Sequence, residues 1–122
     1  MPASFGSTSF QPDRLIAGDT PIVTRAVTLL SGQNLTRGSV IGRITSGGKY
    51  ILSLSAASDG SQTPDLILAE DCDASAGDKT ALAYVTGEFN ESALVIGTAH
   101  TAATIREGLR VKGIHLIAVT GA

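Results

Sequence analysis

The sequence predicts a mainly β domain, with one short helix near its carboxyl end and a leading arm of different character. Three observations carry that expectation. Between Arg37 and Ile96 the chain is a train of short apolar runs rich in β-branched residues and leucine. Gly, Pro, Asp and Ser divide those runs at the spacing of turns. Only Thr101–Arg110 departs from this pattern toward a helical one.

Residues 1–20 come first and differ from the rest. Phe5 and Phe10 stand alone among small polar residues, and no charge occurs through Phe10. Ordering such a segment costs roughly 1–2 kcal/mol per residue of backbone, and it carries too little apolar surface to offset that cost. It reads as an arm, mobile in the free protein, joined to a β-rich domain over residues 21–122. Phe5, Phe10, Pro12, Leu15 and Ile16 are its candidate contact residues, since exposed hydrophobes are costly if nothing binds them. A segment of this kind can order as an added strand on a partner's sheet edge.

Ile22–Leu30 is the first solid strand, and Ser31–Asn34 a turn. Val40–Thr45 follows, with Gly38 and Gly42 marking a tight bend and a bulge or close backbone approach. Ser46-Gly47-Gly48 connects it as a hairpin to Tyr50–Leu54. A longer loop ends at Pro64. Leu66–Cys72 and Thr80–Val85 then flank a loop, Asp73–Asp78, with strong turn chemistry. Val85–Asn90 reads as a turn or bulge, and Ser92–Ile96 as a further strand. Thr101 is a plausible helix cap, with Ile105 and Leu109 four apart on one face. Gly108 weakens that helix. Gly113 marks its exit, and Ile114–Val119 closes the chain as a strand.

Candidate chemistry is sparse. His100 and His115 share no motif with Asp, Ser or Cys, so both read as structural or surface residues. Glu70, Asp71, Asp73 and Asp78 cluster in sequence, but alternation puts the first two on opposite faces and the others in a solvated loop. Neither acid–base catalysis nor calcium binding fits that spacing. Cys72, the one cysteine, lies in a predicted strand and reads as a small core residue. Gly77-Asp78-Lys79-Thr80 carries a weak likeness to the modified lysine of lipoyl and biotinyl carrier domains, only two residues long. No catalytic, cofactor-binding or metal-binding residues are expected.

At 122 residues the chain suits one domain with its own core. Charged residues make up 16% and the net charge is −2, so no basic field exists to concentrate nucleic acid. No run approaches membrane-spanning length, and the amino terminus has no signal-like apolar region. The expected product is soluble, made in a cytoplasm, with neither nucleic acid nor membrane as partner.

The order of these features resembles the head decoration proteins of tailed bacteriophages, the family of the lambda capsid-stabilising protein. The resemblance runs from about Leu29 to Leu116 and rests chiefly on Gly38–Ile44 and on Leu66–Asn90, which ends in Ala83-Tyr84-Val85-Thr86-Gly87-Glu88-Phe89-Asn90. It implies a β-clip-like fold and a homotrimer that caps three-fold positions on the outside of an expanded phage head. There it would cement the major capsid protein against the pressure of packaged DNA, without catalysis or cofactor. It also implies that the leading arm orders against the shell. The competing expectation is an enzyme on a trimeric β scaffold, such as a nucleotide hydrolase of the dUTPase type. That would need motif carboxylates and a phosphate-gripping arm, which the sequence lacks. A carrier domain modified at Lys79 is the third.

Overall fold

The structure, a computed structural model, describes residues 15–18 and 21–118. Its strands in chain order are β1 (Val23–Leu29), β2 (Asn34–Leu35), β3 (Val40–Arg43), β4 (Tyr50–Leu52), β5 (Pro64–Leu68), β6 (Cys72–Asp73) and β7 (Lys79–Asn90). A 3-10 turn (Glu91–Ala93), helix α1 (Ala102–Val111) and β8 (Ile114–Ile117) complete the fold. The mainly β class with one short helix near the carboxyl end is therefore as expected.

The sheet closes on itself. Its order is β1-β4-β3-β5-β7, and β7 pairs back to β1, with β8 continuing beyond β7. The β1–β7 seam is the longest, antiparallel from Val23↔Thr86 to Leu29↔Lys79. By contrast β1 and β4 meet at a single parallel register position, Leu29↔Tyr50. Closure removes most of the unpaired edges that an open sheet would present.

Strand alternation sorts side chains into two cores. Ile41, Leu66, Leu68 and Ala83 point into the closed sheet with Val27 and Leu29. Their chain neighbours Val40, Ile67 and Tyr84 point outward, where Ile105 and Leu109 of α1 and Ile114 and Leu116 of β8 cover them. Both faces of β3, β5 and the middle of β7 are thus buried, which is why these runs are apolar without a polar alternate. Each fully buried Leu, Ile or Phe contributes about 1.5–3 kcal/mol. Cys72 is buried in the inner core, as its sequence position suggested.

The helix begins where expected. The Thr101 hydroxyl accepts the Thr104 N–H at 3.3 Å, and the Thr104 hydroxyl accepts the Thr101 N–H at 2.8 Å. This reciprocal cap satisfies two backbone donors that a helix start leaves open.

Three expectations change in detail. Leu66–Cys72 is not one strand: β5 ends at Leu68, and Cys72 pairs with Leu35 in a separate two-stranded sheet. Glu70 and Asp71 are exposed between them, and their carboxylates bind backbone N–H groups outside the barrel ladder. Val85–Asn90 is not a turn but the second half of β7. The register slip against Val23/Thr24 leaves Val85 as a bulge, and beyond it β7 exchanges β1 for β8. Ser92–Ile96 is not a strand: the Asn90 side chain accepts the Ser92 N–H and starts the 3-10 turn, leaving only a bridge at Ser39↔Val95. Val119, assigned to the closing strand, lies outside the described residues.

Gly38 and Gly42 act as the sequence suggested. Gly38 has φ of 96°, a left-handed conformation that strains other residues. At Gly42 the register against β5 shifts, and a β-carbon would stand 2.1 Å from the Ser61 carbonyl oxygen. Backbone therefore abuts backbone there. Gly42→Ala is expected to lower unfolding free energy by about 2–4 kcal/mol through this clash, read as the urea midpoint. Gly77→Ala, where nothing lies within 4 Å of the added carbon, is expected to stay within about 0.5–1 kcal/mol of the parent.

Candidate functional site

The carboxylates that cluster in the sequence each accept a backbone N–H. Glu70 Oε2 accepts the Leu82 N–H at 2.9 Å, Asp71 Oδ1 the Arg37 N–H at 2.8 Å, Asp73 Oδ1 the Ser75 N–H at 2.9 Å and Asp78 Oδ1 the Ser31 N–H at 2.8 Å. The sequence cluster is thus four separate loop fasteners rather than a facing pair. Hydrogen bonds from the Ser75 hydroxyl and N–H hold the Asp73 carboxyl below its ordinary pKa, and Lys49 and the Ser31 N–H do the same for Asp78. Among the described residues no group of three or more His, Cys, Asp or Glu is arranged to hold a metal.

One Ser–His contact exists. His100 Nε2 lies 3.3 Å from the Ser53 hydroxyl and 3.0 Å from the Gln62 carbonyl oxygen. A carbonyl can only accept, so Nε2 carries the proton and donates it to Gln62. In that tautomer it cannot take a proton from Ser53, which is itself fully buried. The contact ties the two ends of the β4–β5 loop to the loop before α1. His115, in β8, pairs in register with Glu88. Lys79 is the exposed first residue of β7, in register with Leu29 rather than at a hairpin tip.

A polar network centred on the buried Tyr50 acts as a staple. Tyr50, 3% exposed, donates its hydroxyl proton to Asp65 Oδ2 at 2.7 Å and accepts from Arg25 Nη2 at 3.0 Å. Lys112 Nζ donates to Asp65 Oδ1 at 2.8 Å. Burial by itself would raise the Asp65 carboxyl, but hydrogen bonds from Lys112 and Tyr50, with the charges of Lys112 and Arg25, hold it below the usual carboxylate range. Burial, then the Asp65 carboxylate, push the Tyr50 phenol up. The network joins β1, β4, β5 and the end of α1.

A second cluster lies where the chain enters the fold. Leu15 and Ile16 were expected in an arm held out for a partner, yet both belong to the folded body. Ala17 N–H donates to the Glu88 carbonyl at 2.9 Å, and Asn90 N–H to the Leu15 carbonyl at 2.8 Å. Ile16 consequently sits opposite Phe89 in an antiparallel bridge. Leu15 is 3% exposed, packed in the outer core beside Val40, Phe89 and Leu109. Composition averaged over residues 1–20 obscured this, because only a β7 strand extended to Asn90 provides the edge. Phe5, Phe10 and Pro12 lie outside the described residues.

Sequence reasoning also missed Arg37. Its guanidinium Nη2 donates to the Tyr84 hydroxyl at 2.7 Å and its Nε to the Ala69 carbonyl at 3.2 Å. Arg37 lies 47 residues before Tyr84, and nothing local in the sequence ties them. Leu54 and Val95 escaped notice as well, two hydrophobes left 37% and 41% exposed.

This arrangement defines a small barrel-like β protein whose polar groups fasten its own loops and whose remaining features are surfaces. The family model of the bacteriophage lambda head decoration protein D matches residues 7–115. The chain therefore belongs to that head decoration family, a structural family of the phage capsid. No curated protein matches the chain.

Two measurements check these energetics. Because Asp65 is held ionised in the folded state, its contribution is full above its unfolded pKa, near 3.8, and is lost as pH falls through the lower folded value. Asp65→Asn is expected to cost about 1–3 kcal/mol at pH 7, with the gap to the parent narrowing below about pH 4. Leu15→Ala is expected to cost about 2–5 kcal/mol in equilibrium unfolding. A free-arm Leu15 would leave stability unchanged.

Proposed function

We propose that this chain is a capsid cement. It sits as a homotrimer at three-fold positions on the outside of an expanded phage head, and clasps the major capsid protein against the pressure of packaged DNA. Synthesis takes place in the host cytoplasm, and the protein joins the head after expansion. The observation that carries this reading is the family match across residues 7–115. The structure supports it in a second way: Leu15–Ala17 anchor the leading segment to β7, so a shell that takes hold of residues 1–14 is tied directly to the outer core.

In this reading the leading segment acts as the latch, with Phe5, Phe10 and Pro12 as its shell contacts. Leu15 and Ile16 act as its root. Three latches on one trimer engage at high effective concentration, so each needs only moderate affinity. Binding the expanded shell alone stabilises that state by mass action. No specific observation favours a nucleotide hydrolase or a carrier domain over this.

Deleting residues 2–14 is expected to leave a folded trimer by sedimentation velocity that no longer decorates expanded heads in electron micrographs. Extending the deletion through Gly18 is expected to destabilise the protein further, since it empties the Leu15 site. Undiminished decoration by the shorter deletion would refute the latch, and a monomeric parent protein would refute the trimer.

A further inference from the structure

One dipeptide in this chain is chemically labile, and packing dictates both of its members. Asp59-Gly60 is the only Asp or Asn followed by glycine, the order in which a side-chain carboxyl is least hindered from meeting the next backbone nitrogen. The fold demands glycine at position 60. Its φ is 105°, and a β-carbon there would meet the Thr45 hydroxyl and stand 3.0 Å from the Arg43 carbonyl oxygen. Asp59 is tied to Ser61, whose N–H and hydroxyl donate to Asp59 Oδ1 at 3.0 and 2.5 Å. Ser61 is fully buried, with its carbonyl against the backbone of Gly42. Asp59 itself is exposed to water.

The peptide unit between these two residues is clamped at both polar atoms. Its carbonyl oxygen accepts the Thr45 N–H at 2.8 Å, and its N–H donates to Gln62 Oε1 at 2.8 Å. The Ser61 hydroxyl, and then the Ser61 N–H, hold the Asp59 carboxyl ionised, below its ordinary pKa. Farther along, Thr63 N–H donates to the Gly60 carbonyl at 3.3 Å, and the Gln62 carbonyl accepts from His100 at 3.0 Å. Ring closure between side chain and backbone needs the peptide to turn and the carboxyl to take up a proton. The clamp opposes the first and the Ser61 hydrogen bonds oppose the second.

We infer that Asp59-Gly60 is a latent isomerisation site, kept unreactive by the folded loop and released when that loop opens. The chemistry needs no reactant beyond water. The Gly60 nitrogen attacks Asp59 Cγ: an N–Cγ bond forms, the C–OH bond of the protonated carboxyl breaks, and the amide proton leaves with that hydroxyl as water. The succinimide ring then adds water at either carbonyl, returning aspartate or giving isoaspartate. Isoaspartate routes the main chain through the side-chain carboxyl, one methylene longer. The fold has no slack for that length, because Ser61 packs against Gly42 on one side and Thr45 holds Asp59 on the other. A chain converted while open therefore closes poorly. The inference stands apart from the cement reading and concerns how long the folded protein lasts once made.

The test ages the full chain at neutral pH, folded in buffer and unfolded in guanidinium chloride, and follows isoaspartate at residue 59. A peptide spanning residues 56–64, aged beside each sample, corrects for the solvent. Digestion with an endoprotease that cuts before aspartate but not isoaspartate, then chromatography of the equal-mass peptides, gives the converted fraction. The expected result is conversion at least about tenfold slower in the folded chain, equivalent to a loop-opening free energy of about 1.4 kcal/mol. Gln62→Ala removes the acceptor of the Gly60 N–H and is expected to speed conversion of the folded chain about threefold or more, with thermal melting by circular dichroism checking that it stays folded. Converted chains, purified and refolded, are expected to melt below the parent. Equal rates in the folded and unfolded parent would overturn the inference, whatever the fold of the variant. So would a folded Gln62→Ala chain that converts no faster than the parent, or converted chains that melt as the parent does.

Discussion

The fold depends on β7, a twelve-residue strand that is paired along one edge for most of its length and along the other from Leu82 to Tyr84 and from Gly87 to Asn90. One edge is taken first by β1 and, beyond the bulge at Val85, by Leu15–Ala17, so that two stretches of the amino-terminal chain run antiparallel along one strand. The other edge is taken by β5 and then by β8. These are contacts between distant parts of the sequence, and each must be closed at an entropic cost before the core rewards it. Once formed, they fix barrel, helix layer and chain entrance relative to one another. Moving any one requires breaking a ladder on β7.

The side chains of β7 follow from that position. A closed sheet of few strands has a narrow interior, and Ala81 and Ala83 point into it, buried, while Leu82 between them is 44% exposed. Hydrophobicity alone would have put the leucine inside. Further along, Tyr84 turns outward to the helix layer and meets Phe89 at a ring-centroid distance of 5.2 Å. The polar groups obey a related economy. No buried side-chain nitrogen or oxygen among the described residues lacks a hydrogen-bond partner, and the exposed carboxylates of Glu70, Asp71, Asp73 and Asp78 accept backbone N–H groups. A protein assembled this way uses its carboxylates to hold turns, where an enzyme would keep some of them facing a cleft.

Much of this was legible in the sequence, for identifiable reasons. Turns depend on local chemistry, so Ser46–Gly48, Asp73–Asp78 and the Thr101 cap could be read from a few residues. Gly42 was legible as a close approach because a lone glycine inside an apolar run weakens a strand unless crowded backbone requires it. What escaped were facts set by pairing at long range. Val85–Asn90 carries turn-like residues, yet β8 and Leu15–Ala17 hold it extended from both sides. Ser92–Ile96 has the composition of a strand, but the Asn90 side chain diverts the chain before a ladder can form. Leu15 and Ile16 looked like bait for a partner because their own partner, Phe89, lies over seventy residues away in sequence.

The anchoring of Leu15–Ala17 has a mechanical consequence for any adhesive role. A latch attached through a loose linker transmits little force, because the linker extends before the body feels the load. Here the residues next to the leading segment are hydrogen-bonded to β7 at Glu88 and Asn90, and Leu15 is buried in the outer core. Tension on that segment would therefore act along the strand that also holds β1, β5 and β8, and would be shared across the whole sheet. Antiparallel pairing loaded along the strand axis resists by shear of both hydrogen bonds and the Leu15 contact together, rather than by peeling one at a time. The Asp65–Tyr50–Arg25 staple, reaching Lys112 at the end of α1, ties the helix layer to the barrel against that same shear. If the leading segment is the point of attachment, the pairing directly behind it is continuous with the longest strand of the sheet.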